Sequence, residues 1–375
     1  MIDRPGGGDA AVLVSLDFGE VGYEEGLEEL RQLALTAGLD VRALVEGKRP
    51  KPDATYFVGS GKADEVASAL QASESDIAVF NHDLTPSQQR NLERKLECRV
   101  VDRTGLILAI FAQRAQSFEG KMQVELAQLQ HLSTRLVRGW THLERQKGGI
   151  GMRGGPGETQ IELDRRMIRD QVKSLKEKLE KLKRQRGLQR RARKRSMVMS
   201  VSLVGYTNAG KSTLFNRLTQ SGVYVADQLF ATLDTTSRKL FIPEGGPVVL
   251  SDTVGFIKHL PHALVDAFGA TLEEAVQADL LLHVIDVSND NRDDQISEVN
   301  KVLEEIGASQ VPQLLVLNKI DCAGFEPGLE RDEYGKIRKV WISAQSGAGM
   351  DLVRQALAEH QQRIKQALQP CDAVA

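Results

Sequence analysis

One segment constrains the fold of this 375-residue chain more than any other: an apolar run, a glycine-rich turn and a helix pattern follow one another directly. The run is Val198 to Val204, the turn is Gly205-Tyr206-Thr207-Asn208-Ala209-Gly210-Lys211-Ser212, and the helix pattern is Thr213 to Thr219. The turn fits the pattern G-x-x-x-x-G-K-[ST], in which backbone N–H groups close around phosphates at the positive end of the next helix. It predicts an α/β fold with a phosphate site, where Lys211 reaches the phosphates and the Ser212 hydroxyl holds Mg2+.

Three later segments place polar groups directly after apolar runs. The runs are Val248 to Leu250, Leu314 to Leu317 and Val340 to Ile342. The segments that follow them are Asp252-Thr253-Val254-Gly255, Asn318-Lys319-Ile320-Asp321 and Ser343-Ala344-Gln345. A carboxylate after the first run can hold magnesium through water, and the Gly255 N–H can meet a γ-phosphate.

The second and third of these segments suit a purine base. The Asp321 carboxylate can accept hydrogen bonds from the paired N–H donors of guanine, which adenine lacks. Lys319 would lie along the base or ribose, and Ser343 to Gln345 could contact the base through backbone groups. Ligands of open α/β sheets bind at the carboxyl ends of the strands. The four segments in this order therefore predict a site for guanine nucleotide with Mg2+.

A shorter glycine–lysine turn, Gly59-Ser60-Gly61-Lys62, also lies between a strand pattern and a helix pattern. Tyr56 stands where the first glycine of the phosphate pattern belongs, and Ala63 replaces the residue whose hydroxyl would bind the metal. We interpret this segment as a turn that tolerates anions and starts a helix. No second nucleotide site is predicted.

The first third of the chain alternates between strand and helix patterns, which predicts a small α/β layer ending near Thr104. The predicted strands are Ala11 to Phe18, Val41 to Val45, Thr55 to Val58, Ile77 to Phe80 and Arg99 to Val101. The predicted helices are Tyr23 to Ala37, Lys62 to Ala72 and Pro86 to Leu96.

From about Leu106 the pattern changes to two long helices, each with one apolar seam. The seams are Met122, Leu126, Leu129, Leu132 and Leu136, and Leu163, Met167, Val172, Leu175, Leu179 and Leu182. Between them lies Gly148 to Gly157, in which six of ten residues are glycine. The simplest arrangement is an antiparallel hairpin with this segment at its tip, and a helix over Thr159 to Arg195 would extend roughly 55 Å. We expect four regions: a subdomain at 1–105, a hairpin at 106–197, a nucleotide-binding domain at 198–368 and a short tail at 369–375.

The formal charge of −2 conceals a strong separation along the chain. Asp164 to Arg195 contains 15 Lys and Arg but only 4 Asp and Glu, a net of +11, which leaves −13 on the remainder. The charges could belong to a solvated helix face with intrahelical pairs such as Glu177 with Lys181. Four acidic residues, however, cannot neutralise fifteen basic ones. The surplus predicts a polyanionic partner, most commonly nucleic-acid phosphate.

The cysteines and the amino terminus indicate the compartment. Three cysteines in unrelated contexts suggest neither a disulfide framework nor a zinc site. The first residues form no apolar signal core, and no apolar run approaches the ~18 residues of a membrane span. We expect a cytoplasmic protein with at most peripheral membrane contact.

The motif order resembles that of translation-factor-related GTPases. Gln228-Leu229-Phe230-Ala231-Thr232-Leu233-Asp234 and the glycine-rich segment beside Glu158-Thr159-Gln160 resemble HflX, a family of ribosome-associated GTPases, over about Val12 to Leu368. The resemblance implies a P-loop GTPase domain preceded by a small α/β subdomain and a long antiparallel helical hairpin. It places switch I at Phe230 to Asp234, with Thr232 as the magnesium and γ-phosphate contact and with Thr235 and Thr236 as less favoured alternatives.

Candidate site residues follow from the motifs and the resemblance together. The catalytic candidates are Lys211, Thr232 and Gly255, and the Mg2+ ligands are Ser212, Thr232 and Asp252. The nucleotide-binding candidates are Gly205, Tyr206, Thr207, Asn208, Ala209, Gly210, Lys211, Ser212, Thr213, Phe230, Ala231, Thr232, Leu233, Asp234, Asp252, Thr253, Val254, Gly255, Asn318, Lys319, Ile320, Asp321, Ser343, Ala344 and Gln345. The RNA-binding candidates are Lys147, Gly149, Gly151, Arg153, Gly155, Arg184, Arg186, Arg190, Arg191 and Arg193.

Two residues bear on hydrolysis. Phe256 stands where many GTPases have a Gln that orients the attacking water, so unaided hydrolysis is expected to be slow and a partner to complete the site. Asn208 resembles the asparagine of GTPases that use bound K+ to stabilise charge, although it could equally cap the loop. Comparing hydrolysis in K+ and Na+ buffers separates these readings.

Three functions remain open from the sequence. The resemblance implies a monomeric GTPase that binds the RNA of the large ribosomal subunit, not DNA, and splits or rescues stalled ribosomes under stress. A second is a GTP-dependent factor for assembly of the large subunit. A third is an RNA-remodelling or signalling adaptor in which hydrolysis is incidental.

Overall fold

The computed structural model describes residues 9–19, 22–136, 160–195, 198–220, 229–258 and 269–368. The chain forms two compact units, Met1–Glu180 and Lys181–Ala375. Each unit has its own sheet, and the border between the units falls within one long helix. The chain is thus an α/β protein, as the alternating patterns predict.

The amino-terminal unit is built on a four-stranded parallel sheet in the order β2-β1-β3-β4. Its strands are β1 (Ala10–Asp17), β2 (Asp40–Lys48), β3 (Ile77–Phe80) and β4 (Arg99–Val101). Its helices are α1 (Tyr23–Thr36), α2 (Ser60–Ala72), α3 (Pro86–Leu96), α4 (Arg103–Arg114) and α5 (Phe118–Leu136). The predicted border at residue 105 falls inside α4, which contacts α1 and β3 of this unit.

Local sequence explains where several of these elements begin. The Thr85 hydroxyl accepts a hydrogen bond from the Gln88 backbone N–H, and the Gln88 side-chain oxygen accepts one from the Thr85 N–H. Pro86 is the first residue of α3. Asp102 caps α4 by accepting from the Gly105 N–H at 2.9 Å. Val12, Val14 and the other apolar side chains of the central strands form a buried core under α2 and α3.

The predicted strand at Thr55 to Val58 is wrong. The Asp53 carboxylate accepts hydrogen bonds from the backbone N–H groups of Thr55 (2.8 Å) and Tyr56 (2.9 Å), which folds the chain into a turn. Phe57 then adopts a positive φ of 64° and is buried at 5% exposure. The apolar side chains therefore reach the core from a turn, and α2 begins at Ser60, two residues before the predicted start.

The second unit contains a seven-stranded sheet in the order β10-β11-β9-β8-β5-β7-β6. Its strands are β5 (Met199–Val204), β6 (Thr236–Ile242), β7 (Gly246–Asp252), β8 (Leu280–Asp286), β9 (Gln313–Asn318), β10 (Gly328–Arg331) and β11 (Ile337–Trp341). Its helices are α7 (Lys211–Thr219), α8 (Gly269–Val276), α9 (Arg292–Glu305), α10 (Ile320–Ala323) and α11 (Met350–Leu368).

The five central strands of this sheet are parallel, and only the edge pairs β6–β7 and β10–β11 are antiparallel. Their apolar side chains pack with Phe215 of α7 and Leu357 of α11 in one core. Because β5, β7, β8, β9 and β11 run in the same direction, their carboxyl ends lie along one edge. Three of the predicted nucleotide segments begin at that edge, after Val204, at Asp252 and at Asn318.

The long helix α6 (Gln160–Arg195) runs without interruption for 36 residues. On α5, Met122 and Leu126 of the predicted seam are buried. On α6, Leu175 is buried, whereas Met167 is 58% exposed and does not belong to a buried seam. Within the described parts of the chain, no helix combines the length and apolar character needed to cross a membrane.

Candidate nucleotide-binding site

The segment Gly205–Ser212, here called the phosphate loop, needs its two glycines for steric reasons. Gly205 has φ +146°, and a Cβ there would lie 2.3 Å from the Val284 carbonyl oxygen on β8. Gly210 has φ +91° at the start of α7, and a Cβ there would lie 2.2 Å from the Asn318 side-chain nitrogen. Strands β8 and β9 therefore press directly on the loop, and only glycine fits at both positions.

Lys211 lies inside this loop. Its side chain is almost fully buried at 6% exposure, and Nζ donates hydrogen bonds to the carbonyl oxygens of Gly205 (3.1 Å) and Tyr206 (2.7 Å). Burial lowers the pKa of the Lys211 ammonium to about 8, against a smaller opposing effect of Asp252. The loop thus holds a cation among backbone dipoles at the amino-terminal end of a helix.

Ser212, Thr232 and Asp252 converge beside Lys211. Ser212 Oγ donates to Asp252 Oδ2 at 2.7 Å and lies 2.6 Å from Thr232 Oγ1, which donates to the same carboxylate oxygen at 3.0 Å. Burial raises the pKa of Asp252, and the hydrogen bond from Ser212 opposes this shift. Among the residues that the structure describes, the buried Asp252 Oδ1 has no hydrogen-bond partner.

This donor set fits Mg2+. That ion binds proteins through one or two carboxylates and hydroxyl oxygens while keeping the substrate phosphates as further ligands. Asp252, Ser212 and Thr232 supply one carboxylate and two hydroxyls, and the unpartnered Oδ1 is a buried oxygen that a cation would satisfy. The three residues come from β7, α7 and the segment before β6, so the site joins three parts of the unit.

A cleft opens over the phosphate loop. All the residues that line it belong to the predicted nucleotide-binding set. They are Thr207, Asn208, Gly210, Lys211, Ser212, Thr213, Phe230, Ala231, Thr232, Thr253 and Gly255. Phe230 takes a positive φ of 55° with its ring buried, which turns the chain so that Ala231 and Thr232 reach the cleft.

The segment after Asp252 is hydrogen-bonded to the phosphate loop. The Phe256 N–H donates to Gly205 O at 3.1 Å, the Thr207 N–H donates to Phe256 O at 2.7 Å, and the Lys258 N–H donates to the Tyr206 hydroxyl at 2.8 Å. The Phe256 ring is buried at 1% exposure. A Cβ on Gly255 would lie 3.0 Å from Lys211 Nζ, so the Gly255 backbone approaches the cation closely.

Asn318 links the far end of the site to the phosphate loop. Its Nδ2 donates to Ala209 O at 2.9 Å, and its Oδ1 accepts from the Ala344 N–H at 2.9 Å. The Ser343 side chain hydrogen-bonds Asp321 and lowers the pKa of that carboxyl group. Asp321 is therefore a carboxylate at neutral pH, which suits the donor pair of guanine.

Comparisons with known proteins agree with this geometry. A family model described as "GTP-binding GTPase N-terminal" matches residues 24–112, one described as "GTP-binding GTPase Middle Region" matches 114–193, and one described as "50S ribosome-binding GTPase" matches 200–319. GTPase HflX of Escherichia coli K12 is 56% identical over 360 residues, covering 96% of this chain and 84% of the relative. The chain belongs to the HflX family of GTPases.

Two further relatives support the assignment. GTPase HflX of Magnetococcus marinus is 54% identical over 327 residues, covering 87% of this chain and 75% of the relative. A crystal structure of a protein called SsGBP in complex with GDP has a TM-score of 0.52 and 26% identity, covering 95% of this chain and 99% of that one. This HflX-family chain is thus a GTPase whose fold is shared with a GDP-bound protein.

Some predicted site residues of the HflX-family chain do not direct a polar side chain into the cleft. Leu233, Val254 and Ile320 are buried apolar residues, and the Thr253 hydroxyl donates to Leu203 O at 2.6 Å beneath the site. Such residues could contribute only backbone groups to a nucleotide. The motifs predicted segments of the chain and did not separate side-chain contacts from backbone ones.

The predicted RNA contacts of the family member divide into two groups. Lys147, Gly149, Gly151, Arg153 and Gly155 lie outside the described residues. Arg184 is exposed on α6. The side chains of Arg186, Arg190, Arg191 and Arg193 also lie outside the described part, although their backbone is helical.

Sequence reasoning missed Asp286 and Arg217. Asp286 Oδ2 lies 2.6 Å from Lys319 Nζ and holds that lysine beside the predicted base site. Its position at the carboxyl end of β8, next to β9, is the signal that could have identified it. Arg217 contacts the loop Ser343–Gln345 from α7, and the sequence gives no signal for that long-range contact.

Proposed function

We propose that this GTPase binds the large ribosomal subunit through its basic helix and couples its GTP state to splitting or recycling of ribosomes stalled under stress. The observation that carries the proposal is the net charge of +11 over Asp164 to Arg195 of α6, where 15 Lys and Arg outnumber 4 Asp and Glu. The description of the matching family model, a 50S ribosome-binding GTPase, supports the same partner. The proposed place of action is the cytoplasm, and the proposed active form is a monomer.

The basic helix has the length and charge to follow an RNA groove. At ~1.5 Å per residue its 36 residues extend about 54 Å. Its described and exposed cationic side chains are Arg166, Arg169, Lys173, Lys176, Lys178, Lys181, Lys183 and Arg184. Binding of such a surface to RNA releases counterions, so its affinity should fall steeply with salt.

The switch rests on the contacts among Ser212, Thr232 and Asp252. Thr232 belongs to the segment before β6 and meets the other two only through side-chain hydrogen bonds. When bound, Mg2+ would neutralise phosphate charge at these oxygens. A γ-phosphate would add a ligand that favours this position of Thr232, and its loss on hydrolysis would remove that ligand and release the segment.

The proposed catalytic residues are Lys211, Thr232 and Gly255, whose ammonium, hydroxyl and backbone N–H groups suit phosphate charge. The buried Phe256 ring cannot hydrogen-bond an attacking water, so the group that positions this water must come from elsewhere. We therefore expect slow basal hydrolysis that ribosomal particles accelerate. Equal turnover with and without large subunits would contradict this part of the proposal.

Asn208 extends the proposal to a monovalent cation. It lines the phosphate cleft with a positive φ of 59°. If K+ stabilises charge beside Asn208, hydrolysis is faster in K+ than in Na+ buffer, and the Asn208→Ala variant loses the difference. Equal rates of GTP hydrolysis by the wild-type chain in both buffers would contradict a role for K+.

Light scattering of intact ribosomes tests the splitting activity. The wild-type chain with GTP should lower the scattering as subunits separate, and the chain with GDP should not. A variant with Arg184, Arg186, Arg190, Arg191 and Arg193 changed to Ala should leave ribosomes intact while still binding GTP. Arg338→Ala with Arg363→Ala, two exposed arginines of the second unit, is the matched control and should split ribosomes normally.

The same assay separates splitting from assembly. A chain that binds large subunits with GTP but leaves intact ribosomes unsplit would favour a role in large-subunit assembly. RNA binding that is unchanged across GTP, GDP and no nucleotide would favour an adaptor in which hydrolysis is incidental.

A further inference from the structure

Arg217 lies on α7, the helix that begins with Lys211 and Ser212. Its guanidinium Nε donates to the Ala344 carbonyl oxygen at 3.2 Å, and Nη2 donates to the Gln345 carbonyl oxygen. The planar fork of the guanidinium thus spans two successive peptide groups of the loop Ser343–Gln345, here called the base loop. Two carbonyls held by one rigid group fix the orientation of both peptide planes.

The peptide plane held at Gln345 connects Arg217 to Asp321. Fixing the Gln345 carbonyl also fixes the next N–H, that of Ser346, which donates to Ser343 Oγ at 3.0 Å. The Ser343 side chain in turn hydrogen-bonds Asp321. Three hydrogen bonds and one planar peptide therefore connect the Arg217 guanidinium to the Asp321 carboxylate, which suits the base.

The peptide plane held at Ala344 sets the direction of the Gln345 N–H, one of the backbone donors predicted to face the base. On its other side the base loop is fixed by Asn318, which accepts from the Ala344 N–H at 2.9 Å. Asn318 also contacts the phosphate loop through Ala209. Arg217 and Asn318 thus hold the base loop from two sides, and both connect it to the elements that carry the phosphate site.

We propose that Arg217 is a positioning residue that determines specificity for guanine, acting through the Ala344 and Gln345 carbonyls. It is not a catalytic residue, because its contacts are with the base loop. The inference rests on the proposed base site at Asp321 and Ser343–Gln345 and is independent of the ribosome. Arg217 should therefore contribute to affinity only for nucleotides whose base hydrogen-bonds with the base loop and Asp321.

The test compares GDP with ADP, since adenine lacks both the 6-oxo acceptor and the ring N–H donor that the base loop and Asp321 would recognise. In Arg217→Met, GDP affinity should fall about tenfold, the effect of one or two lost hydrogen bonds to a charged group. ADP affinity, measured by competition at high concentration, should not change. KM for GTP should rise while kcat stays constant, because the phosphate site is intact.

Two variants accompany this measurement. Arg217→Lys keeps the charge but offers a point donor instead of a fork, so it should recover only part of the GDP affinity. Arg338→Met makes the same chemical change at an exposed arginine on β11 and should bind both nucleotides as the wild type does. Thermal melting without nucleotide shows whether each variant is folded.

Each outcome bears on a distinct claim. Equal losses for GDP and ADP, or no loss for either, would overturn the role of Arg217 and indicate a structural contact only. Full recovery of GDP affinity in Arg217→Lys would show that the two-pronged guanidinium is not required. A wild-type chain that binds GDP no better than ADP would instead overturn the proposed base site itself.

Discussion

The two units each contain a glycine–lysine turn between core residues and a helix, and the two turns have opposite surroundings. In the phosphate loop, Gly205 and Gly210 face the backbone of β8 and the Asn318 amide, and the space above Lys211 is an open cleft. In the amino-terminal turn Gly59–Lys62, a Cβ on Gly59 would lie 2.0 Å from Arg49 Nη1. The space beside Gly59 is therefore occupied by the Arg49 side chain.

The two lysines differ in the same way. Lys211 is buried among loop carbonyls in a cleft that also holds Ser212, Thr232 and Asp252. Lys62 donates to the Glu46 carbonyl oxygen at 2.8 Å and pairs with Glu65 at 2.7 Å, while Arg49 donates to Val58 O at 2.6 Å. Ser212, Thr232 and Asp252 stand beside Lys211, whereas the contacts of Lys62 are with Glu46 O of β2 and with Glu65 of its own helix.

Replacing each lysine in turn should show the largest difference between the two regions. Lys211→Ala removes the buried cation at the phosphates and should weaken GDP binding by about 1000-fold, roughly 4 kcal/mol. Lys62→Ala removes only local contacts and should leave GDP binding unchanged. Equilibrium titration with a fluorescent GDP measures both, and a comparable loss in Lys62→Ala would mean that the amino-terminal turn also contributes to a nucleotide site.

A buried histidine beside the phosphate loop should make the stability of the second unit depend on pH. His283 on β8 pairs in register with Val204, directly before the loop, and is 1% exposed. Burial lowers the pKa of His283 to about 4, with smaller effects of Gln313 and Lys211. Since the unfolded chain binds this proton below its ordinary pKa near 6.5 and the folded chain does not, the free energy of unfolding decreases as pH falls from 6.5 towards 4.

Protonation of His283 in the unfolded chain should lower the free energy of unfolding by up to about 3 kcal/mol. Glutamine does not titrate in this pH range. The free energy of unfolding of His283→Gln, measured by urea titration, should therefore differ less between pH 6.5 and pH 4.5 than that of the wild type. A pH dependence in His283→Gln as steep as that of the wild type would show that other groups dominate.

Adding one methyl group to each turn should give the smallest effect. In Gly210→Ala the new Cβ meets the Asn318 amide at 2.2 Å with φ at +91°, so about 1–3 kcal/mol of strain is expected together with weaker GDP binding. Gly61 occupies the equivalent place before Lys62, where a Cβ meets nothing within 4 Å. Gly61→Ala should therefore leave GDP affinity unchanged. Its melting temperature should be equal to that of the wild type or slightly higher, because alanine favours the first turn of α2.

The motifs predicted the phosphate loop and the carboxylate at Asp252 because these features are local: a residue type, a spacing and a strand end. The same reasoning failed at Thr55 to Val58, where apolar residues suggested a strand but the Asp53 carboxylate binds two backbone N–H groups and forms a turn. Local side-chain hydrogen bonds compete with strand formation in a way that apolar patterning does not register.

Contacts between distant parts of the chain were beyond prediction from one sequence. Asp286 meets Lys319 because β8 and β9 are neighbours in the sheet, and the sequence indicates only that Asp286 follows an apolar run. Arg217 reaches the base loop across 127 residues of chain. The interpretation of Gly59–Lys62 as a structural turn rested on Tyr56 and Ala63, whereas the structure adds that the Arg49 guanidinium lies against Gly59 and donates to Val58 O.

Cosedimentation with isolated ribosomal subunits tests whether the nucleotide state of the phosphate site governs binding to the large subunit. The wild-type chain would be pelleted with large or small subunits in the presence of a non-hydrolysable GTP analogue, GDP or no nucleotide. We predict strong binding to the large subunit with the GTP analogue, weak binding with GDP, and loss of both at high salt. Equal binding in all three nucleotide states, or binding to the small subunit instead, would contradict the account.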